Sequence, residues 1–339
     1  TALAAYATES KPWSEQPWVD MALGLLVSDV DWTAVESVWL TPMAEVSVAL
    51  DVETFPALTA FSVGQHEGYT LALTGKPFSA PNLTSFAVEG NLTVEGSVLS
   101  AVPAMLSGSG VLTFRNSGEV IASNAGGSDT FAYNAFTGRW VVEAGTTLLL
   151  KGGGGRMGQL NWDSAVDGSG QIEVRTGGTV KLEGSHVFGW KDIDNQCDRT
   201  VLVLNGGALV NRAANYLRRT IELKNGATIS DPAGSFMLAR AGRLLVSEGS
   251  AEILAGAGPK FGCDGAANGQ SAANSKARIQ VESGAELIVS AALSNGNTVY
   301  RGAEFSGMGT LRLNGQNTYT LPTSVGAGLT LAGSGALTA

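Results

Sequence analysis

A short pattern recurs along this chain: an apolar residue, two further residues, a glycine, and usually another apolar residue three positions later. Its copies contain six turn glycines, Gly145, Gly177, Gly207, Gly226, Gly249 and Gly284. Apolar and polar residues alternate on both sides of each turn, and this period of two predicts β-strands with one buried face. Glycine suits the turn because it adopts positive φ angles at little cost. The repeated unit is therefore expected to be two strands joined by a tight turn.

The spacing of these glycines selects the architecture. Consecutive turns lie 32, 30, 19, 23 and 35 residues apart. No amphipathic helix fits the intervals, which excludes the common helical repeat arrays. The predicted fold is an all-β, right-handed parallel β-helix, a solenoid of about twelve coils stacked at roughly 4.8 Å.

The N-terminal region differs from the repeats and is predicted to form a cap over residues 1–45, followed by coils over residues 46–339. An open solenoid end would expose apolar side chains and unpaired backbone groups, so it needs covering. Residues 20–37 are also expected to hold one short helix. The cap is predicted from four early tryptophans, Trp13, Trp18, Trp32 and Trp39.

The variable intervals between turns predict loops ejected from one corner of the coil. All of them precede the equivalent strand, so they are expected to share one side of the rod. They cover residues 123–139, 152–169, 184–199, 211–219 and 255–277.

The segment 306–331 is similar to the autotransporter-associated β-strand repeat of bacteria. The match is carried by Gly309, Leu311, Leu313, Gly315, Asn317, Thr318 and Tyr319. Looser copies of its Gly-x-Gly opening begin at Gly108 and Gly168, and the strong match covers under a tenth of the chain. The resemblance implies a passenger-type β-helix of an exported bacterial protein, extracellular or on the cell surface, and implies no chemistry. Because Gly333 begins another copy of the opening, a longer repeat array is expected to follow.

The charge balance limits the partners. The chain has 21 basic and 30 acidic residues, a net charge of −9, so a nucleic acid would be repelled overall. The longest apolar stretch, Met21 to Val27, is too short for a membrane-spanning helix. The expected partners are a glycan, a host or cell surface, or further copies of the chain.

Catalytic motifs are absent from the sequence, and no catalytic residue is assigned. The two histidines, His66 and His186, are not accompanied by a Gly-x-Ser-x-Gly nucleophile motif. An alternative remains open, since a polysaccharide lyase or glycoside hydrolase uses carboxylates and a basic residue on the outer face of a coil. The outward candidates are Glu143, Glu173, Glu222, Lys181 and Lys224.

Aromatic residues in the corner loops are the candidate ligand-binding side chains, although they could instead pack the loops onto the rod. The four candidates are Tyr133, Trp162, Trp190 and Tyr216. No cofactor is expected except, as a weak candidate, calcium at Asp192, Asp194 and Asp198, which lack the glycine and glutamate of an EF-hand loop. Cys197 and Cys263 permit one disulfide if their loops lean together.

These observations favour a non-enzymatic exported bacterial protein, an adhesin-like stalk or passenger that presents a loop face for binding. Two alternatives stay open. One is a carbohydrate-active β-helix, and the other is the repeating unit of an extracellular filament.

Overall fold

A computed structural model describes the chain over residues 1–124, 135–152, 171–184, 187, 198–217, 219–238, 242–256, 258–261, 276–295, 302–320 and 323–335. Within these ranges the chain is all-β, and its only helical segments are two 3-10 turns, Trp13–Glu15 and Gly96–Val98. The strands form four sheets, which we call A to D.

Sheet B is the longest element, with twelve strands stacked in parallel. Its strands in order are Val46–Leu50, Thr70–Gly75, Asn91–Glu95, Val111–Arg115, Arg139–Val142, Ile172–Arg175, Thr200–Asn205, Thr220–Lys224, Arg243–Glu248, Ala277–Val281, Ala303–Gly307 and Thr323–Val325. Each of the ten inner strands pairs with the strand from the preceding coil and with the strand from the next one. This is the stacking predicted from the repeat.

Sheet C follows sheet B along the chain and holds nine parallel strands. They are Gly118–Asn124, Thr146–Gly152, Thr179–Leu182, Ala208–Asn211, Ala227–Ser230, Ser250–Ile253, Glu286–Val289, Thr310–Leu313 and Thr330–Ala332. From residue 111 onward each strand of sheet B is followed by one of sheet C, and the chain then returns to sheet B one coil further on. Such an arrangement is consistent with a β-helix or solenoid.

Sheets A and D are shorter. In sheet A the parallel strands are Ala2–Ala7, Ser37–Pro42, Ala60–Val63, Ser85–Val88 and Leu106–Ser107, and an antiparallel hairpin of Val19–Asp20 and Leu25–Leu26 ends it. In sheet D the parallel strands are Asn215–Leu217, Phe236–Leu238, Lys260–Phe261 and Ser294–Asn295. The predicted loop 211–219 therefore contains a strand of sheet D.

The core consists of columns of apolar side chains that run through successive coils. One column of sheet B comprises Leu71, Leu92, Leu112, Trp140, Ile172, Leu202, Ile221, Leu244, Ile279 and Phe305, all of them buried. Burying one such side chain contributes about 1.5–3 kcal/mol relative to its exposed state. Alternation along each strand thus produces one continuous core.

The predicted turn glycines lie between the strands of sheets B and C. Gly145, Gly177, Gly226, Gly249 and Gly284 have φ angles between 63° and 86°, where side chains with a Cβ are strained. At the remaining turn the positive φ belongs to Gly206, one residue before the predicted Gly207. A Cβ on Gly207 would instead lie 2.5 Å from Val174 Cγ1 in the preceding coil, so this glycine is required by close packing.

The N-terminal region contains an aromatic cluster, but not the predicted helix. Residues 20–37 hold the strand Leu25–Leu26 in place of that helix. The ring centroids of Trp13 and Trp18 lie 4.9 Å apart, and Trp32 lies 5.7 Å from Trp13. Trp39 does not join this cluster, because it stands on the outer face of sheet A and is 45% exposed.

A buried polar network joins sheets C and D. Asn211 Nδ2 donates to Asp231 Oδ1 at 2.8 Å, and Phe236 N donates to Asp231 Oδ2 at 2.8 Å. Asn215 Nδ2 donates to Asn211 Oδ1 at 2.8 Å. Since Asn211, Asn215 and Asp231 are all buried, their mutual hydrogen bonds satisfy groups that water does not reach.

Candidate functional site

The outer face of sheet B contains a groove lined mainly by polar side chains. Alternate residues of each strand point away from the core, and the strand register aligns them in columns. The central outward column runs through Ser47, Ala72, Thr93, Thr113, Val141, Glu173, Val203 and Glu222. It changes from small neutral side chains in the first coils to acidic and branched ones further on.

A groove of about 570 Å³ follows the small side chains of this column. Ala72, Thr93 and Thr113 belong to its floor, while Glu45, Thr70 and Asn91 lie along one side. At one end the groove reaches Arg115, Glu143 and Arg175, which also line an adjoining depression of about 420 Å³.

Three arginines and two glutamates form a connected network at this end of the groove. Glu143 accepts hydrogen bonds from Arg115 Nε at 2.7 Å and from an Arg175 terminal nitrogen at 2.8 Å. Glu173 accepts from Arg175 Nε at 3.2 Å and forms an ion pair with Arg139 at 2.7 Å. Each carboxylate therefore contacts two guanidinium groups, and each strand in this region contributes one member or more.

Burial and charge act in opposite directions on Glu173. Burial would raise the pKa of its carboxyl group, but the hydrogen bond from Arg175 and the charges of Arg139 and Arg175 outweigh burial, so the pKa lies below its ordinary value. The pKa of Arg115 is raised, first because it donates a hydrogen bond to Glu143 and second because the two charges attract. The network is held in its ionised form.

This electrostatic arrangement suits binding better than proton transfer. A general acid acting near neutral pH needs a raised carboxyl pKa, whereas the pKa of Glu173 is lowered. The other outward candidates lie apart from the network. Glu222 contacts Lys224 at 3.6 Å in a later coil, and Lys181 lies on sheet C beside Glu183.

Most residues predicted from the sequence as ligand, metal or disulfide sites lie outside the described residues. These are Tyr133, Trp162, Trp190, Asp192, Asp194, Cys197 and Cys263. The backbone of Tyr216 is part of the strand Asn215–Leu217 in sheet D. Asp198 Oδ1 lies 2.8 Å from Arg278 and 3.6 Å from Arg243, so its carboxylate is ion-paired.

Within the described ranges, no three His, Cys, Asp or Glu side chains come together as a metal-ligand set. In the same ranges the chain has no helix of the length and apolar character that would cross a membrane.

The arginines of the network were missed in the sequence reasoning, which identified the glutamates alone. Arg115 and Arg175 lie 28 and 32 residues from Glu143 along the chain. Because coil length varies, no fixed spacing in the sequence aligns these charges. In comparisons with known proteins, no protein-family model, curated protein or solved structure matches this chain.

Proposed function

We propose that the chain is a non-enzymatic stalk of an exported bacterial surface protein, built as a right-handed parallel β-helix with a cap over residues 1–45. The observation that carries the proposal is the stack of twelve parallel strands in sheet B, which spans the chain from residue 46 to residue 325. Such a stack lengthens with each coil while every coil contacts only its neighbours. It is suited to holding other parts of a protein away from a surface.

The paired carboxylates on the outer face also support a role without catalysis. Glu143 and Glu173 each contact two arginines, which favours their ionised forms and occupies their oxygen atoms. A structural network of this kind ties neighbouring coils together on the solvent side of the sheet.

Localisation is tested with antibodies raised against the purified chain. Labelling of intact cells of the producing organism is expected, at a level close to that of permeabilised cells. Labelling that requires permeabilisation would place the protein inside the cell and contradict the proposal.

Binding by the loop face remains part of the proposal, with Tyr133, Trp162, Trp190 and Tyr216 as its candidate residues. A glycan array probed with the wild-type chain and with Trp162→Ala and Trp190→Ala tests it. Loss of signal in either variant is the expected result. Unchanged signal in both would remove these tryptophans from the binding surface.

A carbohydrate-active enzyme is the second candidate, favoured by the groove that Glu143 lines and by Glu173, which shares Arg175 with Glu143. Lyase activity would release unsaturated sugars with an ultraviolet absorbance, and hydrolysis would release reducing ends. Incubation of the wild-type chain and a Glu143→Gln, Glu173→Gln variant with acidic polysaccharides distinguishes the two functions. The stalk proposal expects no product from either protein.

A further inference from the structure

The groove on sheet B combines an array of hydroxyl groups with a charged end, and no hydrogen bond within the described chain uses the hydroxyls of Ser47, Thr93 and Thr113. We propose that this groove binds an acidic polysaccharide, whose hydroxyl groups contact the floor and whose carboxylate or sulfate group contacts Arg115. The inference goes beyond the stalk function, which stands even if the groove binds nothing.

The floor is arranged for an extended ligand. Ser47, Ala72, Thr93 and Thr113 come from four consecutive coils, and each is the register partner of the next. Consecutive floor residues are therefore separated by one strand spacing, about 4.8 Å. The hydroxyl groups of Thr93 and Thr113 are one spacing apart, and that of Ser47 is two spacings from Thr93, so all three can donate to and accept from a polyhydroxylated chain that lies along the stack.

The charged end is ion-paired, but one of its arginines keeps unused donors. Arg115, Arg139 and Arg175 face three carboxylates, those of Glu143 and Glu173 in ion pairs and that of Glu95, whose charge acts on Arg115. Within the described chain, Arg115 donates a hydrogen bond only through Nε, to Glu143. Its terminal nitrogens remain as donors, and a guanidinium group matches the planar geometry of a carboxylate or the oxygens of a sulfate.

Other ligand classes fit the groove less well. The described lining contains no aromatic ring, so a neutral glycan has no stacking surface there. A peptide cannot extend sheet B at this point, because the strands Thr70–Gly75 and Asn91–Glu95 already pair on both sides.

The test is isothermal titration calorimetry with polygalacturonate as the acidic probe and dextran as the neutral one. Two variants alter the groove: Arg115→Gln removes the charge, and Ala72→Trp fills the floor. Each has a matched control on another sheet. Arg312→Gln removes a similarly exposed, ion-paired arginine of sheet C, and Ala87→Trp enlarges an outward alanine of sheet A.

The wild type and both controls are expected to bind polygalacturonate, and to bind it less tightly as ionic strength rises from about 0.15 M to about 1 M. Arg115→Gln should weaken binding about tenfold or more, the loss expected for a charge-assisted hydrogen bond. Ala72→Trp should abolish binding. If Ala72→Trp does not fold, Thr70→Trp at the edge of the groove replaces it.

The proposal is overturned if polygalacturonate does not bind, if dextran binds equally well, or if the groove variants bind like their controls. Tighter binding of duplex DNA than of polygalacturonate would also overturn it, in favour of a nucleic-acid site. Urea denaturation of each variant separates these results from failure of the fold. A variant that keeps the wild-type midpoint but does not bind affects the groove and leaves the stalk intact.

Discussion

Removal of the Asp231 carboxylate tests whether the buried polar network stabilises the junction of sheets C and D. Asp231 is 3% exposed and accepts hydrogen bonds from Asn211 Nδ2, Phe236 N and Ser235 N. Asp231→Ala removes the acceptor and leaves these donors in place. The cost then depends on which donors can find another partner.

Two of the three donors lose most by the change. Phe236 is fully buried, so water does not readily replace the carboxylate at its N–H. Asn211 Nδ2 keeps its contact with Ser235 Oγ at 3.1 Å but loses the stronger, charge-assisted one. At about 1–3 kcal/mol for each of the two buried donors left unsatisfied, Asp231→Ala should lower the free energy of unfolding by about 2–6 kcal/mol.

The matched control is Asp51→Ala. Asp51 also accepts hydrogen bonds, from the backbone N–H and the hydroxyl of Ser14, but these groups are exposed. Water can replace the lost acceptor, so the expected change is within about 0.5 kcal/mol.

The assay is urea denaturation followed by far-UV circular dichroism, with midpoints compared directly if the transition is not two-state, as stacked repeats permit. Asp231→Asn should fall between the wild type and Asp231→Ala, because its carbonyl oxygen can still accept while its amide nitrogen meets another donor. Equal destabilisation by Asp231→Ala and Asp51→Ala would refute the reasoning.

Four further predictions follow from the described contacts. Gly110→Ala should prevent stable folding or lower the urea midpoint strongly, because the Cβ of the new alanine would overlap the carbonyl oxygen of Gly90. Gly68→Ala should lower the midpoint less, since the alanine there contacts no other atom and has only the strain of positive φ. The pKa of Glu173 is lowered in the fold, so the stability that this carboxylate contributes is present above its ordinary pKa of 4.5 and is lost as pH falls through the folded pKa. The urea midpoints of the wild type and of Glu173→Gln should therefore converge in acid. A constant difference between the two midpoints would contradict this prediction. Burial raises the pKa of Tyr319, so the stability that its neutral phenol contributes is present below its ordinary pKa of 10.0 and is lost as pH rises above that value. In the same urea assay, Tyr319→Phe should therefore lose less stability in alkali than the wild type. The hairpin of sheet A exposes four apolar side chains by 55–73%, those of Met21, Leu23, Leu25 and Leu26. The double variant Leu23→Ser, Leu26→Ser should therefore reduce any concentration-dependent association measured by sedimentation velocity. Unchanged association would exclude the hairpin as the contact between copies.

Local patterns predicted the paired strands well. Alternation around Gly145 and Gly177 predicted the strands that the structure places in sheets B and C, because the periodicity of a half-buried strand is visible in a few consecutive residues. Stacked parallel strands were likewise predicted and are confirmed. Handedness and the N-terminal cap remain predictions.

The Gly-x-Gly opening shows where a local pattern stops being informative. Gly108 and Gly307 both have φ near 106°, and a Cβ on the second glycine, Gly110 or Gly309, would overlap a backbone carbonyl oxygen of the preceding coil. Yet the first copy precedes a strand of sheet B and the second precedes a strand of sheet C. The motif identifies a tight corner but does not show which corner it is.

Contacts between coils could not be predicted from the sequence. Asn211 and Asp231 are 20 residues apart, and polar residues of this kind between strands are more typical of exposed loops. Only the register of sheet C brings them together in a buried position. The alignment of Arg115 with Glu143 likewise depends on strand register, here in sheet B. Because the coils differ in length, the spacing of these two residues along the sequence does not reveal that they are neighbours.

Stacking of the coils is the central claim, and distances between spin labels test it most directly. In sheet C, Glu119 leads through successive register partners to Thr228 after four strands and to Ile288 after six. With Cys197 and Cys263 replaced by serine, label pairs 119/228 and 119/288 measured by double electron–electron resonance should give distances of about 19 Å and about 29 Å, since each coil adds roughly 4.8 Å. An increase of about 10 Å between the two pairs would support a stalk of stacked coils. Equal distances, or a shorter distance for the second pair, would contradict it.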